Sequence, residues 1–166
     1  MKKIIQKGNK VLRQKAKEIP LDEISSKKIK TLIKDMKEAL AQEQDGVALA
    51  APQIAVSLRL FIISPLVYNM VEKEKLPELV FINPEIIKKS KDQKKMDEGC
   101  LSVRPWYGKV RRSSRATIRA YNEKGEMFEL EGTGLIAQIF QHEIDHFEGI
   151  LFVDKAKDLI EMKIND

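Results

Sequence analysis

Apolar positions along this chain follow two periods. Beyond Pro20 they fall at Ile29, Leu32, Ile33, Met36 and Leu40, the spacing of one helical face. Ser25 or Ser26 can cap the start of that helix, and Asp45-Gly46 breaks it, so it is predicted to run to about Glu43. Residues 59–64 and 79–83 read as short strands, each closed by the proline that follows, Pro65 or Pro84. Residues 117–122 and 127–131 alternate polar and apolar around Glu123-Lys124-Gly125, a hairpin pattern. Residues 133–147 return to helical spacing through Leu135, Ile136, Ile139, Phe140, Ile144 and Phe147. That stretch is apolar on more than one side, which predicts a helix buried among strands. Gly149 stands where a C-terminal cap belongs. Strands between two helices, without βαβ alternation, indicate an α+β fold with antiparallel or mixed strands around a central helix.

Composition narrows the class without naming a function. At 166 residues, with 43% apolar and 33% charged positions, the chain fits one globular domain, taken as residues 1–166. Its apolar runs are strand-sized, far short of a membrane span. The single cysteine excludes an internal disulfide and suggests a reducing compartment. Ile4-Ile5 is followed at once by Gln6, Lys7 and Gly8, too short for a secretory core. The cytoplasm is therefore the expected location, with no membrane partner.

The net charge of +5 is concentrated at the start. Seven basic side chains and no acid occupy the first 17 residues, leaving 23 basic against 25 acidic elsewhere. Smaller clusters at residues 88–95 and 109–115 read as solvated surface. No nucleic-acid motif accompanies them, so no DNA partner is expected.

The predicted second helix carries His142-Glu143-Ile144-Asp145-His146, an H-E-x-x-H motif. Four residues make slightly more than one turn, so both imidazoles leave the same face and can hold one metal ion. Glu143, beside the first ligand, is placed to take a proton from a water held there. Two histidines leave such a metal one protein ligand short. The metzincin extension stops at Phe152, where a third histidine would stand. Glu148 and Glu161 are carboxylate candidates, though neither lies on a clear second helix. Cys100, in Glu98-Gly99-Cys100-Leu101-Ser102, is the remaining candidate. A thiolate with two imidazoles suits Zn²⁺ or Fe²⁺. A third segment, Gly46-Val47-Ala48-Leu49-Ala50-Ala51-Pro52-Gln53, combines small residues with an amide donor. A turn followed by packed alanines reads the same way.

Together the three segments resemble the peptide deformylases, whose motifs G-x-G-x-A-A-x-Q, E-G-C-L-S and H-E-x-x-H occur in this order. The similarity extends to Val11-Leu12-Arg13, to residues 79–84 and from Gly132 through Phe152. The resemblance implies a metal-dependent hydrolase that releases formate from N-formylmethionyl nascent peptides. It implies one divalent ion per chain, Fe²⁺ foremost, with Zn²⁺, Ni²⁺ or Co²⁺ as substitutes. Cys100, His142 and His146 match the metal ligands and Glu143 the general acid/base. Gln53 and the Leu101 N–H match the oxyanion donors. Gly46, Val47, Ala48, Leu49 and Gly99 are expected along the substrate, with Leu135 and Ile139, two turns and one turn before His142, lining a methionine slot.

The chain departs from the pattern at Ala48, a glycine in the motif, and at Arg104-Pro105 after E-G-C-L-S. If position 48 needed a positive φ, the methyl group would cost affinity. The ribosome has slight support as a partner, since the tail past Phe152 carries three lysines against four acids. Another H-E-x-x-H metallopeptidase and a non-catalytic deformylase-like protein that binds N-termini are the competing readings.

Overall fold

The computed structural model describes residues 1–162; the last four positions of the expected 1–166 domain lie outside them. Helix α1 spans Lys27–Ala41. The Ser26 hydroxyl accepts from the Ile29 N–H at 3.3 Å and so caps its start. Ile29, Leu32, Ile33, Met36 and Leu40 are buried, as the spacing requires. The helix stops at Ala41, short of Glu43, because the Gln42 N–H folds back to the carbonyls of Ala39 and Leu40.

Among the described residues there are eight strands, seven between the two helices and one after the second: β1 (Ala48–Ala50), β2 (Leu60–Ile63), β3 (Val80–Lys89), β4 (Gln93–Gly99), β5 (Trp106–Ser113), β6 (Arg115–Tyr121), β7 (Met127–Thr133) and β8 (Lys157–Glu161). They form a five-stranded sheet in the order β1-β2-β3-β6-β7 and a three-stranded sheet β4-β5-β8. Every pairing between these strands is antiparallel. Helix α2 (Gly134–Phe147) packs on β1, β3, β6 and β7 of the large sheet and also on β5 of the small one. The expected α+β class around a central helix is what forms.

A phenylalanine cluster seats α2. Phe61 of β2 and Phe81 of β3 stack at 4.6 Å between centroids. Phe140 meets Phe81 edge-on at 5.5 Å, and Phe147 leans on Phe61 at 6.5 Å. All four rings are fully buried. Aromatic contacts of this geometry add to the area they bury and fix the helix in position and roll.

Three local expectations need correction. The strand starting near Leu79 does not end at Pro84. β3 continues to Lys89, and its register with β6 shifts between Ile82 and Glu85. Asn83 sits there at φ 49° and exchanges two 2.8 Å hydrogen bonds with the Ile19 backbone. A bulge is where a strand can hold a proline, which has no N–H for the ladder. The small sheet was not foreseen, because β4 reads Gln-Lys-Lys-Met-Asp-Glu-Gly with only Glu98 buried. The solvated reading of residues 109–115 fails at Arg112, whose side chain is 3% exposed.

Gly149 adopts φ 72° just beyond α2, as a left-handed terminator should. A Cβ there would lie 2.6 Å from the Arg13 carbonyl oxygen. Gly149→Ala therefore combines backbone strain with a backbone clash. It is expected to cost about 2 kcal/mol, read as a lower denaturation midpoint with unchanged slope.

Candidate metal centre and active site

Two chain segments from different layers meet at the site. Cys100 leaves the end of β4, while His142 and His146 project from one face of α2. The thiol sulfur and the histidine nitrogens that can ligate lie within 4.8 Å of one another. Cys100 Sγ is 3.6 Å from His146 Nε2. A soft thiol and two imidazoles at this separation fit a tetrahedral divalent ion of the Zn²⁺ or Fe²⁺ kind, with room for a further ligand. The rival carboxylates are elsewhere. Glu148 pairs with Arg59 at 3.0 Å, and Glu161 is exposed on β8. Phe152 stacks against the His142 ring at 6.5 Å and contributes packing only.

The tautomer of His142 follows from its neighbour. Glu98 Oε2 lies 2.8 Å from His142 Nδ1, and a carboxylate can only accept, so Nδ1 carries the proton and Nε2 keeps its lone pair for a metal. Glu98 is in turn gripped by Arg112, through Nε to Oε1 at 3.1 Å and Nη2 to Oε2 at 2.6 Å. Arg112 Nη1 reaches Asp145 at 2.7 Å. Burial alone would raise the Glu98 carboxyl, but the His142 hydrogen bond and charge, then Arg112, bring it down to about 2. In the metal-free site, burial opposes a charged His142. The Cys100 and Glu98 hydrogen bonds outweigh it and hold His142 well above its ordinary value. Burial, aided by the neighbouring His142, keeps His146 well below its own.

Glu143 is 4% exposed, and its Oε2 has no hydrogen-bond partner among the described residues. Burial, opposed by the His142 charge, pushes its carboxyl up to about 7. A carboxyl in that range can both take and return a proton near neutral pH. Gln53 stands opposite. Its Oε1 accepts from the Ala50 N–H at 2.9 Å, which turns Nε2 toward Ser102 Oγ at 3.1 Å and Cys100 Sγ at 3.5 Å.

A cleft of about 180 Å³ opens over these groups. Gly46, Val47 and Ala48 line one wall and Gly99, Cys100 and Leu101 the other, with Leu135, Ile139, His142 and Glu143 along α2. Leu49 does not reach it. Strand alternation sends Ala48 and Ala50 toward α2 and Leu49 into the opposite core beneath α1, fully buried. Ala48 lies in extended β1 opposite Ile63 and is not among the positive-φ residues, so its methyl group carries no backbone strain. Asp45, Tyr107 and Gln138 also line the cleft without any sign in the sequence, as does Arg104, one of the departures from the motif pattern. Tyr107 is detectable only once β4 and β5 are paired. Its ring covers Gly99, which has no room for a Cβ.

Among the described residues, no helix is long and apolar enough to cross a membrane. The sequence matches the family model for polypeptide deformylase over residues 1–161. It is 45% identical over 149 residues to a peptide deformylase of Halothermothrix orenii, covering 90% of this chain and 89% of the relative. Identity to peptide deformylase 2 of Clostridium perfringens is 41% over 162 residues, covering 98% and 97%. The fold superposes on the crystal structure of a peptide deformylase from Legionella pneumophila with a TM-score of 0.82 at 39% identity, covering 95% of this chain and 87% of that one. The Thermotoga maritima peptide deformylase gives 0.80 at 34%, covering 95% and 98%. Sequence, fold and metal-ligand cluster agree: this chain belongs to the polypeptide deformylase family.

Proposed function

We propose how this chain carries out its family's reaction, hydrolysis of the formyl amide on the N-terminal formylmethionine of new polypeptides. The observation that carries the reading is the juxtaposition of Cys100, His142 and His146 with Glu143 and Gln53 around one cleft. Cys100, His142 and His146 hold a single divalent ion, Fe²⁺ in the cell, with Zn²⁺, Ni²⁺ or Co²⁺ able to replace it. When bound, that ion supplies Lewis acidity, which polarises the formyl carbonyl and makes water a stronger acid.

The chain's own groups do the rest. Glu143 takes a proton from water as its oxygen attacks the formyl carbon. Gln53 Nε2 and the Leu101 N–H donate to the oxygen that becomes negative. As the C–N bond breaks, Glu143 returns the proton to the departing amine, leaving formate and a free amino terminus. Leu135, Ile139 and Val47 form an apolar slot for the unbranched methionine side chain. The peptide backbone lies extended along residues 46–48 and beside Gly99. A nascent chain is the substrate, and the cytoplasm is where the enzyme meets it. Residues 1–166 act as one catalytic domain.

The test is formate release from formyl-Met-Ala-Ser by protein reconstituted without oxygen, separately with Fe²⁺, Ni²⁺ and Zn²⁺. Turnover is expected with at least one ion, and none with unformylated or internally cleavable peptides. Absence of formate with every ion bound would end this reading. Cys100→Ala is expected to weaken metal retention by at least about 100-fold in competition with a chelator, as loss of a ligand should.

A further inference from the structure

The two walls of the cleft are tied together across its mouth at Asp45, chiefly by Arg104. Arg104, in the segment after β4, reaches over to the turn that follows α1. Its Nη1 and Nη2 donate to the two carboxylate oxygens of Asp45 at 2.9 and 2.7 Å, and Nη2 also reaches Glu43 at 3.1 Å. Asp45 immediately precedes residues 46–48, one wall, and Arg104 lines the other. The Tyr107 hydroxyl donates to the same Asp45 carboxylate at 3.3 Å. The anchorage at the Arg104 end is itself fixed. The Arg104 N–H donates to Gln6 Oε1 at 3.3 Å, while Gln6 Nε2 donates to the Leu101 carbonyl at 2.8 Å.

At the base of the cleft the walls are already in contact. A Cβ on Gly46 would meet Leu40 at 2.9 Å and Leu101 at 3.2 Å. At the rim the fork of Arg104 is the main connection, beside the longer Tyr107 bond, and a bidentate guanidinium–carboxylate pair fixes separation and orientation together. The hydrogen bonds to Arg104, ahead of its charge, hold Asp45 below the usual carboxylate range, so the pair stays ionised through neutral pH.

We propose that Arg104 is a positioning residue that sets the spacing of the two walls and thereby the grip on the peptide beyond its first residue. The inference rests on the proposed reaction, since it concerns how that site holds an extended substrate. A strand-like peptide pairs only with a backbone held at a fixed distance, about 4.8 Å between strands. If residues 45–48 drift, pairing suffers most where the peptide leaves the slot. The groups that act on the formyl carbon lie on α2, at Gln53 and at the Leu101 N–H, and the clamp touches them only through the Gln6 bond to the Leu101 carbonyl.

The experiment compares Arg104→Ala, Arg104→Lys, Asp45→Asn and the Arg104→Ala/Asp45→Asn double variant in the metal-loaded enzyme. For formyl-Met-Ala-Ser, Arg104→Ala should raise KM about tenfold while kcat stays within about twofold, the signature of lost binding that is uniform along the reaction. For formyl-Met amide the rise in KM should be clearly smaller. Arg104→Lys should fall between, because an ammonium lacks the fork. The double variant should match Arg104→Ala, as coupled partners do. An equal rise for both substrates, a fall confined to kcat, or additive effects would overturn the proposal. Should Arg104→Ala not fold, Arg104→Lys and Asp45→Asn carry the same comparison. Hydrogen exchange at residues 46–48 supplies a readout independent of turnover. Faster exchange in the variants is expected, and unchanged exchange overturns the clamp even if the wild type releases no formate, a result that would count against the proposed reaction alone.

Discussion

Glu143→Ala is expected to lower kcat for formyl-Met-Ala-Ser by about 10³-fold while the chain still retains one metal ion, because positioned acid–base groups contribute on this scale. The two halves of that expectation come from different observations. Glu143 sits one residue from His142 but is not among the three side chains whose donor atoms converge, so metal affinity should survive. Its Oε1 is 4.0 Å from His142 Nε2, and its Oε2 has no partner among the described residues, so the carboxyl faces the reacting groups. Glu143→Gln keeps the volume and removes the titrating oxygen, and it should fall by a similar factor. Metal content by elemental analysis, beside kcat, checks both halves. A Glu143→Ala protein that loses the ion would make Glu143 a ligand and remove the assigned proton carrier.

Arg112→Met should be the most damaging change to stability away from the reacting atoms, at about 3–5 kcal/mol, since removing one partner of a buried ion pair leaves the other charge uncompensated. Arg112 is 3% exposed and serves two carboxylates, Glu98 at 4% and Asp145 at 16% exposure. Asp145 keeps a second cation in Lys155 at 3.0 Å, so most of the penalty falls on Glu98. Replacing Glu98 by leucine in the same protein should recover a large part of the loss, because an apolar pair needs no compensation. That double variant should nevertheless bind metal more weakly, with His142 Nδ1 deprived of its acceptor. Urea midpoints for the three proteins separate the two effects. The wild type should respond to acid in a related way. Glu98 is held down at about 2 in the folded protein. Its contribution is therefore complete above the unfolded carboxylate value, near 4.3, and is lost as pH falls from there toward 2. Unchanged urea stability across that interval would show that Glu98 is not held as described.

Much of the candidate site is legible in the sequence because it is local. A helix places His142, Glu143 and His146 by periodicity alone. The buried faces of α1 and α2 follow from their apolar spacing, and the β6–β7 hairpin from Glu123-Lys124-Gly125. The small sheet was illegible for the opposite reason. A strand announces itself by alternation only when one face is apolar and buried, and β4 and β8 lie mostly in solvent. The Glu98–Arg112 pair spans the β4–β5 hairpin, so neither residue carries a local sign of burial. Leu49 was assigned to the cleft as part of a motif, although the period-two geometry of a strand already put it on the other face from Ala48. Arg104 was noted as a departure, but its partner Asp45 had been read only as the end of a helix.

The placement of Cys100 on the small sheet and of both histidines on α2 has a consequence for the order of assembly. His142 and His146 are brought to one face by a single helical turn, so local structure alone pairs two nitrogens. The sulfur arrives only when the three-stranded sheet docks on α2, an event that depends on contacts between distant parts of the chain and is correspondingly slow. In the finished protein an ion held by these three residues would join two layers whose seam is otherwise bridged by the Arg112 ion pairs and by hydrogen bonds from Gln138 and Gln141. Because it favours the docked state alone, occupancy adds to stability by about 4 kcal/mol when free metal exceeds Kd a thousandfold.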